Sequence, residues 1–370
     1  MQTICILLFY LLKRISYLRS ILDTLFKYTS GCTIIILTMK FQQVINCMFT
    51  NWYSRFKDIT IKSIAINLSE SVCEYLLSDS FVLPNENDPQ RSDITTVGDS
   101  DEELDWENKT EHSTLVPPSF PDLEKEVMCC IESLGGCVFP KLDWSSPKDA
   151  AWISFDRTLR CRSIRDIFLL LKSSDFITHD LTAPFEHCSN VQDSANQSVT
   201  HHLVLRQWQD ISAESEFRCF VQNNTVVGIS QRHLGIHFPH LNVQKEQISS
   251  DILRFYHTYI EEKFADSDFT FDVWCKSGED IVLLDFNPFA PVTDSLLFSW
   301  NELMSWSPHN PSNPCEFRCV LENGIQPDPY RWYAMPQDFV HLSTGEDPAK
   351  LTDLLNIKIQ DANEQESDSN

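Results

Sequence analysis

Glycine is scarce in this sequence, and its positions exclude several nucleotide-binding motifs. Nine glycines occur among 370 residues, and none of them forms GxG or GxxxxGK. A Rossmann dinucleotide site, a P-loop and a kinase glycine-rich loop all require closely spaced glycines, because these let the backbone approach the phosphates. GxSxG and HExxH are also absent. Any nucleotide site in this chain must therefore hold phosphate without a glycine cradle.

Positive charge is also in deficit. Lys and Arg number 29 against 53 Asp and Glu, which gives a formal net charge of -24 at pH 7. Binding to nucleic acid depends on Lys and Arg residues that pair with phosphates. The composition therefore argues against direct nucleic-acid binding, and a basic protein partner fits this charge more readily.

Long apolar runs and paired cysteines are lacking too. The stretch ICILLFYLL is only nine residues long, whereas a membrane-spanning helix needs about 20. The 13 cysteines contain no CxxC pair, and Cys315 and Cys319 have no matching second pair, so we expect no zinc site. We expect reduced, mostly buried thiols and hence a cytoplasmic protein without a membrane segment.

The composition changes along the chain and divides it into segments. Residues 1–38 precede a second methionine, Met39, and we interpret them as an upstream extension. Residues 84–118 contain the acidic stretch DSDEELDWE, which predicts a disordered loop. The other expected segments are a first lobe from 39–83 and 119–205, a second lobe from 206–358, and a disordered acidic tail from 359–370.

Helical and strand patterns alternate irregularly, which predicts an α+β fold. Gly135 is expected to stop one helix, and Ser163 with Asp166 resembles a capping box that opens another. An amphipathic helix is expected around residues 248–259. The expected strands are ITIKSIAI, CVFPKL, WISF, HLVLRQW, EFRCFVQ, TVVGISQR, FTFDVWC and DIVLLDF.

The last two strands form the most informative pair. A two-residue turn at Gly278-Glu279 fits type II′ and places Asp272 directly opposite Asp285. Asn287 lies one step further along the same face, because side chains of a strand alternate. Two carboxylates and an amide oxygen at one point suit magnesium. The alternative is a hydrated sheet edge that binds nothing.

Cationic residues lie near other expected strand ends. Lys141 ends the strand CVFPKL, and Lys148 lies in the loop that follows it. Arg206 and Trp208 alternate onto one face of HLVLRQW. Arg and Lys pair with phosphate oxygens, and a neighbouring aromatic ring can border adenine. Each residue taken alone is more often solvated or part of a salt bridge.

The next hairpin leaves one orientation open. Glu216 and Arg218 share a face of EFRCF. A two-residue type I′ turn at Asn223-Asn224 would make Arg232 face away from Arg218, whereas a three-residue turn would place it opposite Glu216.

Several long motifs occur in an order that resembles the cell division cycle protein 123 family, also called D123. They are LGGCVFPKLDWSSPKDAAWI, FLLLKSSDFI, LVLRQW, EFRCFV, GISQR and DFNPFAPVTDSLLFSW. The resemblance extends from about Met39 to residue 355. It implies an ATP-grasp-like fold, in which two α/β lobes with largely antiparallel sheets sandwich the nucleotide.

The resemblance also implies roles for the residues above. Phosphate contacts would come from Lys141, Arg218 and Arg232, and the loop that closes over ATP would contain Trp144, Ser146 and Lys148. The adenine and ribose side would be bordered by Arg206, Gln207, Trp208 and Glu216. Magnesium and, through it, ATP would be held by Asp272, Asp285 and Asn287.

Three functions follow from these expectations. The family resemblance implies an ATP- and magnesium-binding chaperone that binds the gamma subunit of eukaryotic translation initiation factor 2 and helps it join alpha and beta. That role would support translation initiation and cell-cycle progression. An ATP-grasp ligase that forms an acyl-phosphate is the alternative, although no separate acid, base or nucleophile can be identified for it. An interaction scaffold with a vestigial site is the third.

Overall fold

The computed structural model describes residues 39–78, 83, 119–154, 156–189, 199–277, 280–306 and 315–322. The expected extension, acidic loop and C-terminal tail lie outside these ranges, as does the expected turn at Gly278-Glu279. Within them, no helix is both long and apolar enough to cross a membrane.

The first of two sheets has three antiparallel strands. It contains β1 (Ser63–Asn67), β2 (Val138–Lys141) and β3 (His202–Gln207) in the order β1-β3-β2. Its outer face is covered by α-helices that pack into one hydrophobic core with Leu203 and Leu205. These helices are α3 (Glu70–Leu77), α4 (Pro121–Ser133), α5 (Ile164–Lys172) and α6 (Asp175–Thr182).

The start and stop signals read from the sequence are confirmed on this side. The Ser163 hydroxyl and the Asp166 carboxylate form the expected capping box at the start of α5. Gly135 follows α4 with a φ of 96°, a left-handed conformation that a side chain would strain.

The second sheet has five strands. It contains β4 (Glu216–Gln222), β5 (Thr225–Gln231), β6 (Phe269–Ser277), β7 (Asp280–Pro288) and β8 (Glu316–Arg318), in the order β7-β6-β4-β5-β8. Only the β5–β8 pairing is parallel. An aromatic-rich core joins it to α2 (Phe49–Phe56) and α7 (Pro239–Phe255), while α1 (Phe41–Asn46) and α8 (Trp300–Met304) flank it. The expected α+β class with largely antiparallel sheets is confirmed.

The expected strand WISF is wrong, because residues Lys148–Ile153 form a 3₁₀ helix. Tertiary contacts fix this conformation: the buried Asp149 carboxylate accepts hydrogen bonds from the Ser174 hydroxyl (2.5 Å) and from the Asp175 backbone N–H (2.7 Å). A short apolar pattern in the sequence contains no information about that partner helix.

Strand β3 places charged groups between the two sheets. Leu203 and Leu205 face the helices, so the alternating residues Val204 and Arg206 face the five-stranded sheet. Lys141 is paired with Val204 and therefore projects from the same face as Arg206. The expected boundary between residues 205 and 206 falls inside β3, so Arg206 belongs to the three-stranded sheet.

Two polar contacts join the sheets through β7. Lys141 Nζ lies 2.6 Å from Asp285 Oδ2, and the Lys141 side chain is 2% exposed against 21% for Asp285. Arg206 Nη1 donates to the Leu284 carbonyl at 2.5 Å, and its Nη2 donates to Thr60 Oγ1 at 3.1 Å. Each buried cation thus has a partner on the opposite sheet, which fixes how the sheets meet, although the buried Arg206 Nε makes no hydrogen bond within the described residues.

Because Lys141 is less exposed than Asp285, removing one partner of the ion pair should cost more stability than removing the other. Asp285→Ala leaves a buried ammonium group without its carboxylate, and we expect it to lower the free energy of unfolding by about 3–5 kcal/mol. Lys141→Met leaves a partly hydrated carboxylate and is expected to cost less. Chemical denaturation measures both costs. The control is Arg160→Met, which breaks the exposed ion pair of Arg160 with Asp156 and is expected to change stability by less than about 1 kcal/mol. Equal costs for Asp285→Ala and Lys141→Met would contradict this account.

Candidate functional site

Charged side chains of both sheets converge at this junction, and we call them the charged cluster. It consists of the cations Lys141, Lys148, Arg206, Arg218 and Arg232 and the carboxylates Glu216, Asp272 and Asp285. All of them are buried or half-buried. All eight are residues that the sequence had predicted for a nucleotide and metal site.

Asp272 and Arg218 form the buried centre of the cluster. They are directly opposite on β6 and β4, and two parallel hydrogen bonds of 2.8 Å join the guanidinium to the carboxylate. Burial alone would raise the pKa of Asp272, but the charges of Arg218 and Arg232 outweigh it and hold that pKa well below its usual range. The carboxylate is therefore ionised at neutral pH.

Arg232 reaches Asp272 because of a bulge in the β4–β5 hairpin. The turn at Asn223-Asn224 has two residues with φ of 50° and 57°, as expected for type I′. The register then shifts near Phe220, which leaves one extra residue on β5. Arg232 N consequently donates to the Glu216 carbonyl at 3.1 Å, and its Nη2 lies 3.8 Å from Asp272 Oδ2. The expectation that a two-residue turn points Arg232 away was wrong.

Glu216 and Lys148 extend the cluster towards the loop after β2. Glu216 Oε1 lies 3.2 Å from His233 Nε2. Burial would raise the pKa of Glu216, yet the His233 hydrogen bond and the charge of Lys148 lower it overall. Positive charge on Arg232, followed by burial, lowers the pKa of Lys148 to about 8. Lys148 therefore stands close to other cations, with too little negative charge to offset them.

The predicted pairing of Asp272 with Asp285 is confirmed. The register shifts immediately beyond it, so Leu284 is an extra residue whose carbonyl turns towards Arg206. Asp285 Oδ1 accepts the Phe286 N–H at 3.1 Å. Asn287 is half-buried two residues along β7, and its amide makes no hydrogen bond within the described part of the chain.

The loop between β2 and the 3₁₀ helix contains two more of the predicted residues, Trp144 and Ser146. Trp144 donates its indole N–H to the Val44 carbonyl at 2.9 Å, and its ring packs edge-on against Phe185. Ser146 is half-buried, and its carbonyl accepts the Lys148 N–H at 2.8 Å. This indole is thus already hydrogen-bonded within the fold.

Gln207 and Trp208 lie at the end of β3, beside the cluster. Gln207 pairs with Val138. The Arg160 guanidinium lies 6.0 Å from the centre of the Trp208 ring, and the backbone N–H of Trp208 donates to the Cys137 carbonyl at 3.1 Å. The structure therefore places Arg206 at the sheet junction and gives Trp208 contacts with the neighbouring loop.

Sequence reasoning missed a buried network behind Lys141. Asp143 accepts hydrogen bonds from the Thr50 hydroxyl at 2.9 Å, and its other oxygen lies 2.8 Å from His202 Nδ1. His202 begins β3 and is half-buried. Isolated carboxylates such as Asp143 and Asp180 carry no local pattern, so no signal in the sequence marks them.

A different group of potential metal ligands lies away from this site. Ligand atoms of His179, Glu186 and His187 fall within 4.8 Å of one another. Two of these side chains are exposed and one is half-buried, at the end of α6 and in the turn that follows. Such surface groupings are common without a metal, and no buried polar partner marks this one as a site.

The donor set of the charged cluster fits a magnesium–polyphosphate ligand. Asp272, Asp285 and Asn287 offer only oxygen ligands, which hard cations prefer. Each carboxylate oxygen has two lone pairs, so hydrogen bonds to Arg218 and Lys141 leave further acceptor capacity. Five cations face three carboxylates, which leaves an excess of positive charge in a chain whose net charge is -24.

Comparisons with known proteins agree on one family. The sequence profile of the family described as D123 matches residues 52–343. A Xenopus tropicalis protein called "Translation initiation factor eIF2 assembly protein" is 45% identical over 339 residues, covering 90% of this chain and 100% of its own. The Dictyostelium discoideum protein of the same name is 36% identical and covers 87% and 98%.

A solved structure gives the same result at the level of the fold. "Structure of Cdc123 from Schizosaccharomyces pombe" superposes with a TM-score of 0.63 at 32% identity, covering 77% of this chain and 99% of that one. The profile, the sequence relatives and the fold are thus concordant. The chain belongs to the D123 family.

Proposed function

We propose that this protein binds ATP with magnesium between its two sheets and promotes the assembly of eukaryotic translation initiation factor 2. The observation that carries the ATP proposal is the excess of buried or half-buried positive charge at the sheet junction. Cations crowded in this way repel one another, and a polyphosphate between them would relieve that repulsion.

Different parts of the cluster suit different parts of the ligand. Lys148, whose pKa is lowered chiefly by the neighbouring charge of Arg232, is the best candidate for a phosphate contact, and Arg232 lies at the same point of the cluster. Lys141 and Arg218 hold Asp285 and Asp272 in place, and these carboxylates with Asn287 are the candidate metal ligands. The bound metal would neutralise phosphate charge and fix its orientation.

The assembly proposal comes from the relatives. Proteins that match this chain over about nine-tenths of its length are named for eIF2 assembly. Within that role we propose the gamma subunit as the direct partner and the cytoplasm as the compartment. Eleven free cysteines in the described part of the chain fit a reducing environment. A scaffold with a vestigial site is disfavoured, because it would offer no anion to the cations crowded around Lys148.

Calorimetric titration with ATP tests the nucleotide site. The wild-type protein should bind ATP only with magnesium present. Lys148→Met should weaken binding by about tenfold or more, because one charge-assisted hydrogen bond is lost. Asn287→Ala should reduce the dependence on magnesium.

Lys125→Met is a matched control, since Lys125 is exposed on α4 and away from the cluster. If wild-type protein binds no ATP, or if the Lys148 and Lys125 variants behave alike, the nucleotide proposal is wrong.

Binding should also be coupled to proton uptake. The pKa of Lys148 is about 8 in the free protein, and nearby phosphate must raise it. The complex therefore holds more protons than the free protein near pH 8, and affinity must fall as the pH rises from about 7 to 9. Titrations in two buffers of different ionisation enthalpy measure this uptake, and Lys148→Met should abolish it. Proton release instead of uptake would contradict the placement of phosphate beside Lys148.

Affinity capture from a eukaryotic lysate tests the assembly role. The tagged protein should enrich the gamma subunit of initiation factor 2 over an unrelated acidic protein of similar charge. Adding the purified alpha and beta subunits should then yield a complete complex. Failure to capture gamma, together with steady ATP-dependent ligation of a small carboxylate, would favour the ligase alternative.

A further inference from the structure

The segment from Trp144 through Ser146 to Lys148 is attached at its centre to one buried side chain. Asp180 on α6 accepts two hydrogen bonds from Ser145: the backbone N–H donates to Oδ2 and the hydroxyl donates to Oδ1, both at 2.8 Å. Ser145 lies at the centre of this loop, and its carbonyl accepts the Leu142 N–H at 2.8 Å. Both hydrogen-bond donors of Ser145, its backbone N–H and its hydroxyl, thus donate to one carboxylate.

The end of the loop is attached to the same helix. Asp149 follows Lys148 directly, and its carboxylate accepts the Ser174 hydroxyl and the backbone N–H groups of Asp175 and Phe176. Helix α6 therefore contacts the loop at its middle through Asp180 and at its end through Asp149. The side chains of Trp144, Ser146 and Lys148 lie between or beside these two attachments.

Global stability does not account for Asp180. It is 3% exposed, and burial raises its pKa to about 7, although the Ser145 hydrogen bonds and the charge of Lys141 act in the opposite direction. Lys141 and Asp143 are the charged groups that face it. A carboxylate whose folded pKa is raised disfavours the folded state once it is ionised, so the burial of Asp180 costs stability above that pKa.

We propose that Asp180 is a positioning residue for nucleotide binding: by fixing Ser145 it holds the loop so that Lys148 reaches the charged cluster. The expected effect on ATP affinity rests on the proposed ATP site, whereas the positioning of the loop by Asp180 is a property of the free protein. Asp180 acts through its two hydrogen bonds with Ser145, and Lys141 is a cation whose charge it faces.

Amide hydrogen exchange on the free protein tests the positioning without ATP. Asp180→Leu removes both acceptors, and exchange at the amides of Ser145, Ser146 and Lys148 should rise by about tenfold or more, while α5 and the rest of α6 keep their protection. Asp180→Asn should stay close to wild type, because its amide can accept from the Ser145 N–H and donate to the hydroxyl. Unchanged exchange in Asp180→Leu, or loss of protection throughout α5 and α6, would overturn the proposal.

Nucleotide affinity then tests the consequence. Asp180→Leu should weaken ATP binding by about tenfold under conditions in which chemical denaturation shows the variant to be folded, and the effect should shrink in the Lys148→Met background, as expected for coupled residues. Ser145→Ala, which removes one of the two hydrogen bonds, should be intermediate. Fully additive effects of Asp180→Leu and Lys148→Met would overturn the proposal. If wild type binds no ATP, the proposed function fails, whereas the exchange experiment still decides the role of Asp180.

Discussion

The ion pair between Lys141 and Asp285 is the constraint on which the rest of the site depends. It joins the last residue of a strand in one sheet to a strand of the other, across a junction that is closed to solvent on the lysine side. An isolated ammonium group could not be buried there, so the five-stranded sheet must present a carboxylate at that point. Arg206 makes a second bond across the junction to the backbone of β7. The two sheets are therefore held at a fixed separation, and the remaining charged residues gather around that junction.

Local irregularities then direct individual side chains into the junction. One extra residue on β5 turns Arg232 towards Asp272, and one extra residue on β7 turns the Leu284 carbonyl towards Arg206. The irregularity on β7 lies next to Asp285, and the one on β5 lies opposite Phe220 and Val221; regular strands would place the same groups on the wrong face. The charge of the cluster thus depends on backbone geometry as much as on composition.

The excess of cations at the junction links this geometry to function. An acidic chain that concentrates five positive side chains around three carboxylates offers a charge distribution that suits the polyphosphate and metal we propose. The segment that supplies Lys148 is attached to α6, in the helical layer behind the three-stranded sheet. If a nucleotide binds as proposed, the junction and the packing of that helical layer are physically connected.

Much of the site was already present in the sequence, for reasons of local geometry. The opposition of Asp272 and Asp285 was predicted from strand alternation about a short turn and is confirmed, because the two register shifts between the turn and this pair, one on each strand, cancel. The long family motifs fixed the family, and the periodicity fixed most strands and helices. These features depend on neighbours within a few residues or across one hairpin, where a simple period determines the outcome.

Tertiary structure alone decided the partners of the buried charges. No pattern in the sequence pairs Lys141 with Asp285, because these residues lie 144 positions apart and in different sheets. The same holds for Asp180 and Ser145, and for the 3₁₀ helix at Lys148–Ile153, whose conformation depends on a distant helix. The sequence indicated most of the charged residues that face inwards. The packing of one sheet on the other determined which charges meet, because a charged group is stable away from water only when a partner compensates it.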